Sequence, residues 1–192
     1  MRHFNKNFFI GLGTGAAMTI VLIFLAVYTY VRIMSVSERV ETALGPPDFS
    51  NCPLSSVYEQ TGLWSIRTLE GKDVAFSQFK GTIVFLTFWA TWCQDSDTEM
   101  SSIQNLYDSL KHDDVAFLLV SDEHEKTIQG FMKRNNFTFP VYIQGKNLPD
   151  VFKTRSITAT FILDREGRIA FKHEGIARWD DEACLEFLRD LM

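Results

Sequence analysis

The chain has 192 residues, of which 46% are hydrophobic, with 5 Pro and 11 Gly, so it can form one ordinary folded domain and is not a disordered protein. Its net charge is -5 at pH 7 and it contains no basic run, which excludes nucleic acid as a partner. The three cysteines, Cys52, Cys93 and Cys184, are too few for a disulfide scaffold and are not spaced as zinc ligands. We therefore expect no metal and no other cofactor.

The N-terminal segment contains a long uncharged stretch between Lys6 and Arg32. As a helix, the 25 residues 7–31 would extend roughly 37 Å at about 1.5 Å per residue. That length is enough to cross a hydrocarbon core of about 30 Å, whereas the apolar core of a cleaved signal peptide has about 7 to 15 residues. We therefore predict a cytoplasmic stub and an uncleaved transmembrane helix within residues 1–34.

Positive residues before the anchor determine its expected orientation. Arg2, Lys6 and the amino terminus precede the apolar stretch, and the positive-inside rule therefore favours a cytoplasmic N-terminus. The rest of the chain is then expected outside the cytoplasmic (inner) membrane, in the periplasm or an equivalent extracytoplasmic space. Gly11 and Gly15 form a Gly-xxx-Gly pair, which predicts a weak dimer through the anchor.

The anchor is followed by a linker and then by a region with regular strand and helix patterns. Residues 35–61 mix charges, prolines and serines without a sustained period, and are expected to act as a linker and lead-in. The predicted strands are LWSIRTL, KDVAF, IVFLTFW, VAFLLV, FPVYI, TATFILD and RIAFKHE, and the predicted helices begin near residues 95, 122 and 180. We interpret residues 122–125, which read DEHE, as an acidic first helical turn that complements the helix dipole. The alternation predicts an α/β domain with a mixed central sheet flanked by helices over residues 62–192.

Three separated blocks of this domain resemble one family of proteins. GKDVAFSQFKGTIVFLTFWATWC, LLVSDEHEKTIQGFMKRNNFTFPVYI and SITATFILDREGRIAFKHEG occur in that order. Together they are similar to the membrane-anchored, thioredoxin-like thiol-disulfide oxidoreductases of the TlpA/ResA type, in the redoxin (AhpC-TSA) superfamily. The resemblance implies a thioredoxin-like fold in which a Trp-Cys-x-x-Cys pair at a helix N-terminus exchanges disulfides. It also implies protein substrates such as apocytochromes, and hence a role in cytochrome c biogenesis and cell redox homeostasis.

The present motif lacks the second cysteine of that pair, since residues 93–96 read CQDS. In a dithiol pair the second thiol resolves the mixed disulfide, and well-placed intramolecular groups act at effective molarities of about 10⁵ M or more. A serine hydroxyl cannot perform this step. Cys93 is thus the candidate attacking thiol, with Ser96 as a candidate hydrogen-bond donor to it. Cys52 in the linker and Cys184 in the last helix are candidate resolving thiols. The alternative for Cys52 is a free linker thiol or an intermolecular disulfide, and the alternative for Cys184 is a buried, inert role.

Other residues of the implied substrate groove follow from the same resemblance. Thr158 stands where the family has a cis-proline, and we expect the Ile157–Thr158 bond to be trans because a cis bond before a non-proline residue costs about 2.5 to 4 kcal/mol. Glu99 matches a glutamate common in the family, and is either a proton carrier near Cys93 or an exposed acid of a first helical turn. The remaining groove candidates are Trp89, Trp92, Gln94 and Asp95, with packing in the aromatic core as the alternative for the two tryptophans.

Three functions from different classes fit these residues. The first is a monothiol exchanger that acts on protein thiols and disulfides through Cys93. The second is a redox-silent binding or chaperone module that holds a protein ligand near the membrane. The third, a one-cysteine peroxidase, is disfavoured because the peroxidase pattern requires Pro and Thr at the positions of Leu86 and Ala90. Whether the chain is an enzyme depends on which of the three holds.

Overall fold

The computed structural model describes residues 21–32, 45–49, 55–56, 64–93 and 96–192. Residues 21–32 are helical, and the rest of the predicted anchor lies outside the described residues. Within the described part of the chain, no helix combines the length and the apolar character that crossing a membrane requires. The chain divides into two compact units, Met1–Gly45 and Pro46–Met192.

The described residues of the second unit form one mixed sheet and three α-helices. The strands are β1 Ser55–Ser56, β2 Ser65–Thr68, β3 Asp73–Ala75, β4 Ile83–Phe88, β5 Val115–Ser121, β6 Val141–Ile143, β7 Ala159–Leu163 and β8 Arg168–Glu174. The helices are α1 Ser96–Leu110, α2 Glu125–Asn135 and α3 Glu182–Asp190, and two 3-10 helices span Phe76–Phe79 and Asp150–Phe152. The strand order is β1-β8-β7-β4-β5-β6-β2-β3, with β4, β5 and β6 parallel and the other neighbours antiparallel. The predicted α/β fold with a mixed sheet is confirmed.

The position of the central strand β4 in the sheet explains why its sequence is apolar throughout. All of its residues are buried, because it lies between β5 and β7 and both faces of the sheet are covered. Phe85 packs into a cluster with side chains from all three α-helices. Val84 and Leu86 point the other way, as alternation along a strand requires, into a cluster that contains Phe76 and Phe152 of the two 3-10 helices.

The parallel pairing of β4 with β5 determines where the two connections to helices meet. Phe88, the last residue of β4, is in register with Val120 of β5. Residues 89–93 and residues 122–124 therefore leave the sheet at the same edge. In open α/β sheets the carboxyl ends of such strands are the usual place for ligands and reactive groups.

The compact unit begins earlier than predicted. The Phe49 ring lies 4.5 Å from the ring of Phe171 and 4.6 Å from that of Phe187, between centroids, so it packs against β8 and α3. In addition, β1 pairs antiparallel with β8. The compact unit therefore begins at Pro46 and not at the predicted domain start, residue 62. An aromatic side chain and a short strand of the lead-in are part of the fold.

The Ile157–Thr158 peptide bond before β7 is cis, so the expected trans bond is wrong. That expectation considered only the preference of an isolated peptide bond. In the folded chain, contacts that are distant in sequence hold Thr158. Its hydroxyl donates to the Gly175 carbonyl oxygen over 3.0 Å, and the Gly175 N–H donates to the Thr158 carbonyl oxygen over 2.8 Å. The hydroxyl and the carbonyl group of Thr158 are thus both bonded to Gly175, which the local preference of the peptide bond does not take into account.

Candidate active site at the carboxyl end of β4

Cys93 lies in a tight turn between β4 and α1. The Trp89 N–H donates to the Val120 carbonyl oxygen over 3.0 Å, which extends the pairing of β4 with β5 by one residue. The Cys93 N–H donates to the Ala90 carbonyl oxygen over 3.3 Å and closes the turn. Since α1 begins at Ser96, the cysteine is held just before the N-terminus of a helix, as the sequence predicts.

The sulfur of Cys93 faces the segment that precedes β7. Its thiol is half-buried, and Sγ lies 3.8 Å from the Ile157 carbonyl oxygen, a distance suited to a weak S–H···O hydrogen bond. The Ile157 side chain is 41% exposed, and that of the neighbouring Trp92 is 68% exposed. Two exposed apolar side chains and a backbone carbonyl group therefore accompany the thiol at the surface.

A cavity of about 290 Å³ is lined by Ile157 at the same edge of the sheet. Its walls combine apolar side chains such as Phe152 with polar ones such as Asp122 and Lys153. Trp89 also lines the cavity but is only 1% exposed, and its ring lies 5.2 Å from that of Phe131. Trp89 is therefore a core residue that contributes one surface to the cavity.

Glu99 is completely buried in α1, so its interpretation as an exposed acid of a first helical turn is wrong. Its Oε1 atom accepts hydrogen bonds from the Trp179 indole Nε1 over 2.9 Å and from the Ala177 N–H over 3.3 Å. Among the described residues, its Oε2 atom has no hydrogen-bond partner. A carboxyl group with one unsatisfied oxygen thus lies inside the protein.

Burial raises the pKa of the Glu99 carboxyl above its usual 4.5, because desolvation disfavours the charged form. Hydrogen bonding by Thr158, Trp179 and Ala177 opposes this effect without cancelling it. The Thr158 hydroxyl carries one proton, which it donates to the Gly175 carbonyl group, so it donates to Glu99 only when it turns away from that partner. Thr158 thereby connects a buried carboxyl with a raised pKa to the segment that faces Cys93.

The structure does not place the other candidate site residues next to Cys93. Cys184 is a free thiol in α3, fully buried in the main hydrophobic cluster, in keeping with the expected inert role. Burial, reinforced by Asp181 and Asp180, raises the pKa of its thiol to about 12. Cys52, Gln94, Asp95 and the side chain of Ser96 lie outside the described residues.

Comparison with known proteins identifies the family. Residues 58–172 match the AhpC/TSA family. This chain belongs to the AhpC/TSA family. It is 30% identical over 148 residues to the thiol-disulfide oxidoreductase ResA of Halalkalibacterium halodurans, an alignment that covers 74% of this chain and 84% of that protein. The resemblance to ResA-type proteins predicted from the sequence is confirmed.

Solved structures show the fold of this AhpC/TSA member. A thiol:disulfide interchange protein of the thioredoxin family from Chlorobium tepidum superimposes with a TM-score of 0.56 at 18% identity, covering 77% of this chain and 96% of that one. StoA from Bacillus subtilis superimposes with a TM-score of 0.53 at 24% identity, covering 66% of this chain and 93% of that one. The predicted thioredoxin-like fold is therefore confirmed.

Glu123 is a residue at this edge of the AhpC/TSA domain that the sequence did not reveal. Its carboxylate accepts hydrogen bonds from both the backbone N–H and the hydroxyl of Thr91, in the turn that carries Cys93. The dipole interpretation of residues 122–125 is thus wrong for Glu123, because α2 begins only at Glu125. The available signal was its place two residues after the end of β5, since neighbouring parallel strands end at the same edge of a sheet.

Proposed function

We propose that this protein is a membrane-anchored, extracytoplasmic member of its family that exchanges disulfides through a single thiol, Cys93. The placement of the half-buried Cys93 sulfur 3.8 Å from the Ile157 carbonyl oxygen carries the proposal. It supports an attacking thiol next to a stretch of backbone and exposed apolar side chains where a peptide can bind. Relatives named thiol-disulfide oxidoreductase ResA support the same chemistry.

The proposed reaction has two steps that need two different thiols. The Cys93 thiolate attacks one sulfur of a substrate disulfide, the substrate S–S bond breaks, a mixed disulfide forms, and the other substrate sulfur leaves as a thiolate. Ser96 supplies no second sulfur, so an external thiolate attacks the substrate sulfur of the mixed disulfide. The bond between Cys93 and the substrate breaks, Cys93 leaves as a thiolate, and the substrate departs in a new disulfide with the external thiol. Glu99, whose pKa is raised by burial, is proposed as a group that holds a proton near this site.

Membrane attachment is a separate part of the proposal. In the helix of residues 21–32, the large apolar side chains are each 53% to 71% exposed, which suits contact with lipid. We expect the full chain to stay in the membrane fraction after alkaline carbonate extraction, and deletion of residues 1–34 to release it. Labelling of Cys93 in intact cells by a membrane-impermeant maleimide would place the domain outside. Release of the full chain by carbonate would contradict the anchor.

Reaction with a defined disulfide tests the exchange. Purified full-length protein is incubated with oxidised glutathione, and its mass and the released glutathione are measured. We expect one glutathione on Cys93 and one equivalent of reduced glutathione released. Cys93→Ala should give no such adduct, while the matched control Cys184→Ala should behave as the wild type does. An equal yield of adduct in Cys93→Ala would refute the exchange function.

A redox-silent binding module is the second candidate function. The 68% exposure of Trp92 and the cavity of about 290 Å³ favour it, because both offer contact area to a peptide without any chemistry. If the wild type forms no adduct with oxidised glutathione, yet wild type and Cys93→Ala bind a peptide ligand with equal affinity, this candidate replaces the first. Peroxide consumption that depends on Cys93 would favour the peroxidase instead.

A further inference from the structure

Glu123 connects two loops at the edge of the sheet where Cys93 lies. It lies two residues after the end of β5 at Ser121, and its half-buried carboxylate reaches the turn after β4. Oε2 accepts a hydrogen bond of 2.6 Å from the Thr91 backbone N–H, and Oε1 accepts one of 2.8 Å from the Thr91 hydroxyl. Both carboxylate oxygens are thus bonded to the residue two positions before Cys93.

The turn from Ala90 to Cys93 needs such an acceptor. The N–H groups of Trp89 and Cys93 have backbone partners, at Val120 and Ala90 respectively. The Thr91 N–H bonds to the Glu123 side chain instead, and a partly buried backbone donor that loses its acceptor costs about 1 to 3 kcal/mol. The carboxylate therefore supplies an acceptor that the sheet does not.

The loop of Glu123 also orients its carboxylate. The Glu123 N–H donates to the Ser121 hydroxyl oxygen over 3.3 Å, and this hydroxyl lies 3.5 Å from Oε2. Glu123 is thus held on the β5 side while it holds Thr91 on the β4 side. The Cys93 turn is in this way attached to the neighbouring strand through side-chain hydrogen bonds in addition to the backbone ladder.

We infer that Glu123 is a positioning residue for Cys93. It touches no substrate, and acts by holding the Ala90–Cys93 turn so that Cys93 Sγ stays opposite the Ile157 carbonyl oxygen. The inference deepens the proposed exchange function and rests on Cys93 as its attacking group. A disulfide sulfur must be approached in line by the thiolate, so a turn that shifts by about 1 Å can slow exchange by up to about 100-fold.

Three variants distinguish the effect of the Glu123 hydrogen bonds from the effect of its negative charge. In Glu123→Gln the amide oxygen can accept from the Thr91 N–H while the amide nitrogen donates to the Thr91 hydroxyl, which can act as donor or acceptor. Glu123→Gln therefore keeps both hydrogen bonds and removes the charge. Glu123→Ala removes both hydrogen bonds and the charge. Glu125→Ala is the matched control, because Glu125 is an exposed acid two residues away that bonds only to Gln129 among the contacts described for its side chain.

The experiment measures two rates at Cys93 in the full-length protein. One is mixed-disulfide formation with a disulfide-linked peptide, which requires in-line approach, and the other is alkylation by iodoacetamide, which is small and less demanding. We expect Glu123→Ala to slow the disulfide reaction about tenfold or more while changing alkylation less than about twofold. Glu123→Gln and Glu125→Ala should retain both wild-type rates. Loss in Glu123→Gln equal to that in Glu123→Ala would show that charge acts, and an unchanged Glu123→Ala would show that nothing is positioned; either result overturns the inference.

Amide hydrogen exchange tests the inference even if the protein does not exchange disulfides. The Thr91 amide should be protected in the wild type and in Glu123→Gln, and about tenfold less protected in Glu123→Ala. If the wild type does not react with disulfides, the proposed function falls, and equal protection in all variants would independently overturn the role of Glu123. If Glu123→Ala does not fold, Thr91→Val, which removes only the hydroxyl bond, should show a smaller loss in the same disulfide rate, with Thr91→Ser as its rescue. A wild-type rate in Thr91→Val would then count against the inference.

Discussion

The indole Nε1 of Trp179 donates a hydrogen bond of 2.9 Å to Oε1 of Glu99, across 80 residues of sequence. This contact joins α1, next to Cys93, to the segment between β8 and α3. The Ala177 N–H donates to the same oxygen, while Oε2 has no hydrogen-bond partner in the described part of the chain. The site therefore favours a protonated carboxyl more than water does.

The first prediction is that Glu99 lowers the free energy of unfolding by an amount that depends on pH. Its folded-state pKa is raised above 4.5, so between pH 4.5 and the raised value the folded state keeps a proton that the unfolded state has released. The free energy of unfolding falls as pH rises through that window, by up to about 1.4 kcal/mol per pH unit, and the cost is constant above it. Glu99→Gln should remove this fall and gain stability relative to the wild type from pH 4.5 upward, as measured by urea denaturation. Glu125→Gln, at an exposed acid, is the control, and a constant difference between wild type and Glu99→Gln from pH 4 to 8 would contradict the prediction.

The second prediction concerns the Thr158 hydroxyl beside Glu99. Thr158→Val removes its 3.0 Å hydrogen bond to the Gly175 carbonyl oxygen and should lower the free energy of unfolding by about 1 kcal/mol. The hydroxyl also lowers the pKa of Glu99, so without it that pKa should rise further and the fall in stability should extend to higher pH. Thr158→Ser keeps the hydroxyl and should resemble the wild type in both respects. Denaturation profiles with the same pH dependence in Thr158→Val and wild type would show that the hydroxyl does not act on Glu99.

The third prediction is that Cys184 does not resolve a mixed disulfide on Cys93. With a thiol pKa of about 12, its thiolate fraction at pH 8 is about one in 10⁴, and its side chain is fully buried. Native protein treated with iodoacetamide at pH 8 should be labelled on Cys93 and not on Cys184, whereas both should react in denaturant. The lifetime of the glutathione adduct on Cys93 should be the same in Cys184→Ala. A longer lifetime in that variant would restore Cys184 as a resolving thiol.

The sequence was informative where a local pattern determines the structure. The run over β4 predicts a buried central strand because both of its faces are covered, and the place of Cys93 follows from the turn between that strand and α1. Glu99 was not settled by the same reasoning, since an acid in the first turns of a helix has the same local signature whether it is exposed or buried. Its burial depends on Trp179, which lies far along the chain.

Other features were missed because their causes are also distant in sequence. Glu123 contacts Thr91 across 32 residues and through the pairing of two parallel strands, so its neighbours along the chain do not identify this partner. Phe49 belongs to the fold because of contacts with β8 and α3, although its own segment has no period. In both cases the contact is made by tertiary packing, which composition and periodicity along the chain do not show.

The fourth prediction concerns a variant that adds the second thiol of the family's active-site motif. Ser96→Cys places a second cysteine at the first residue of α1, three positions after Cys93, where a thiol can attack a mixed disulfide within the same molecule. With intramolecular attack available, multiple-turnover reduction of a disulfide-linked peptide at limiting external thiol should rise about tenfold or more. The wild type should instead show a turnover proportional to the external thiol concentration, because release of its product depends on that thiol.

The control for this variant is Thr98→Cys, which adds a thiol to an exposed position of the same helix but at a different angle around its axis. It should turn over as slowly as the wild type, which would show that position and not the number of thiols matters. Equal turnover of Ser96→Cys and wild type would mean that product release is not what limits this protein. Release of one equivalent of fully reduced peptide by the reduced wild type in a single turnover, without any external thiol, would contradict the single-thiol mechanism directly, since Cys93 would then have to be resolved from within the chain.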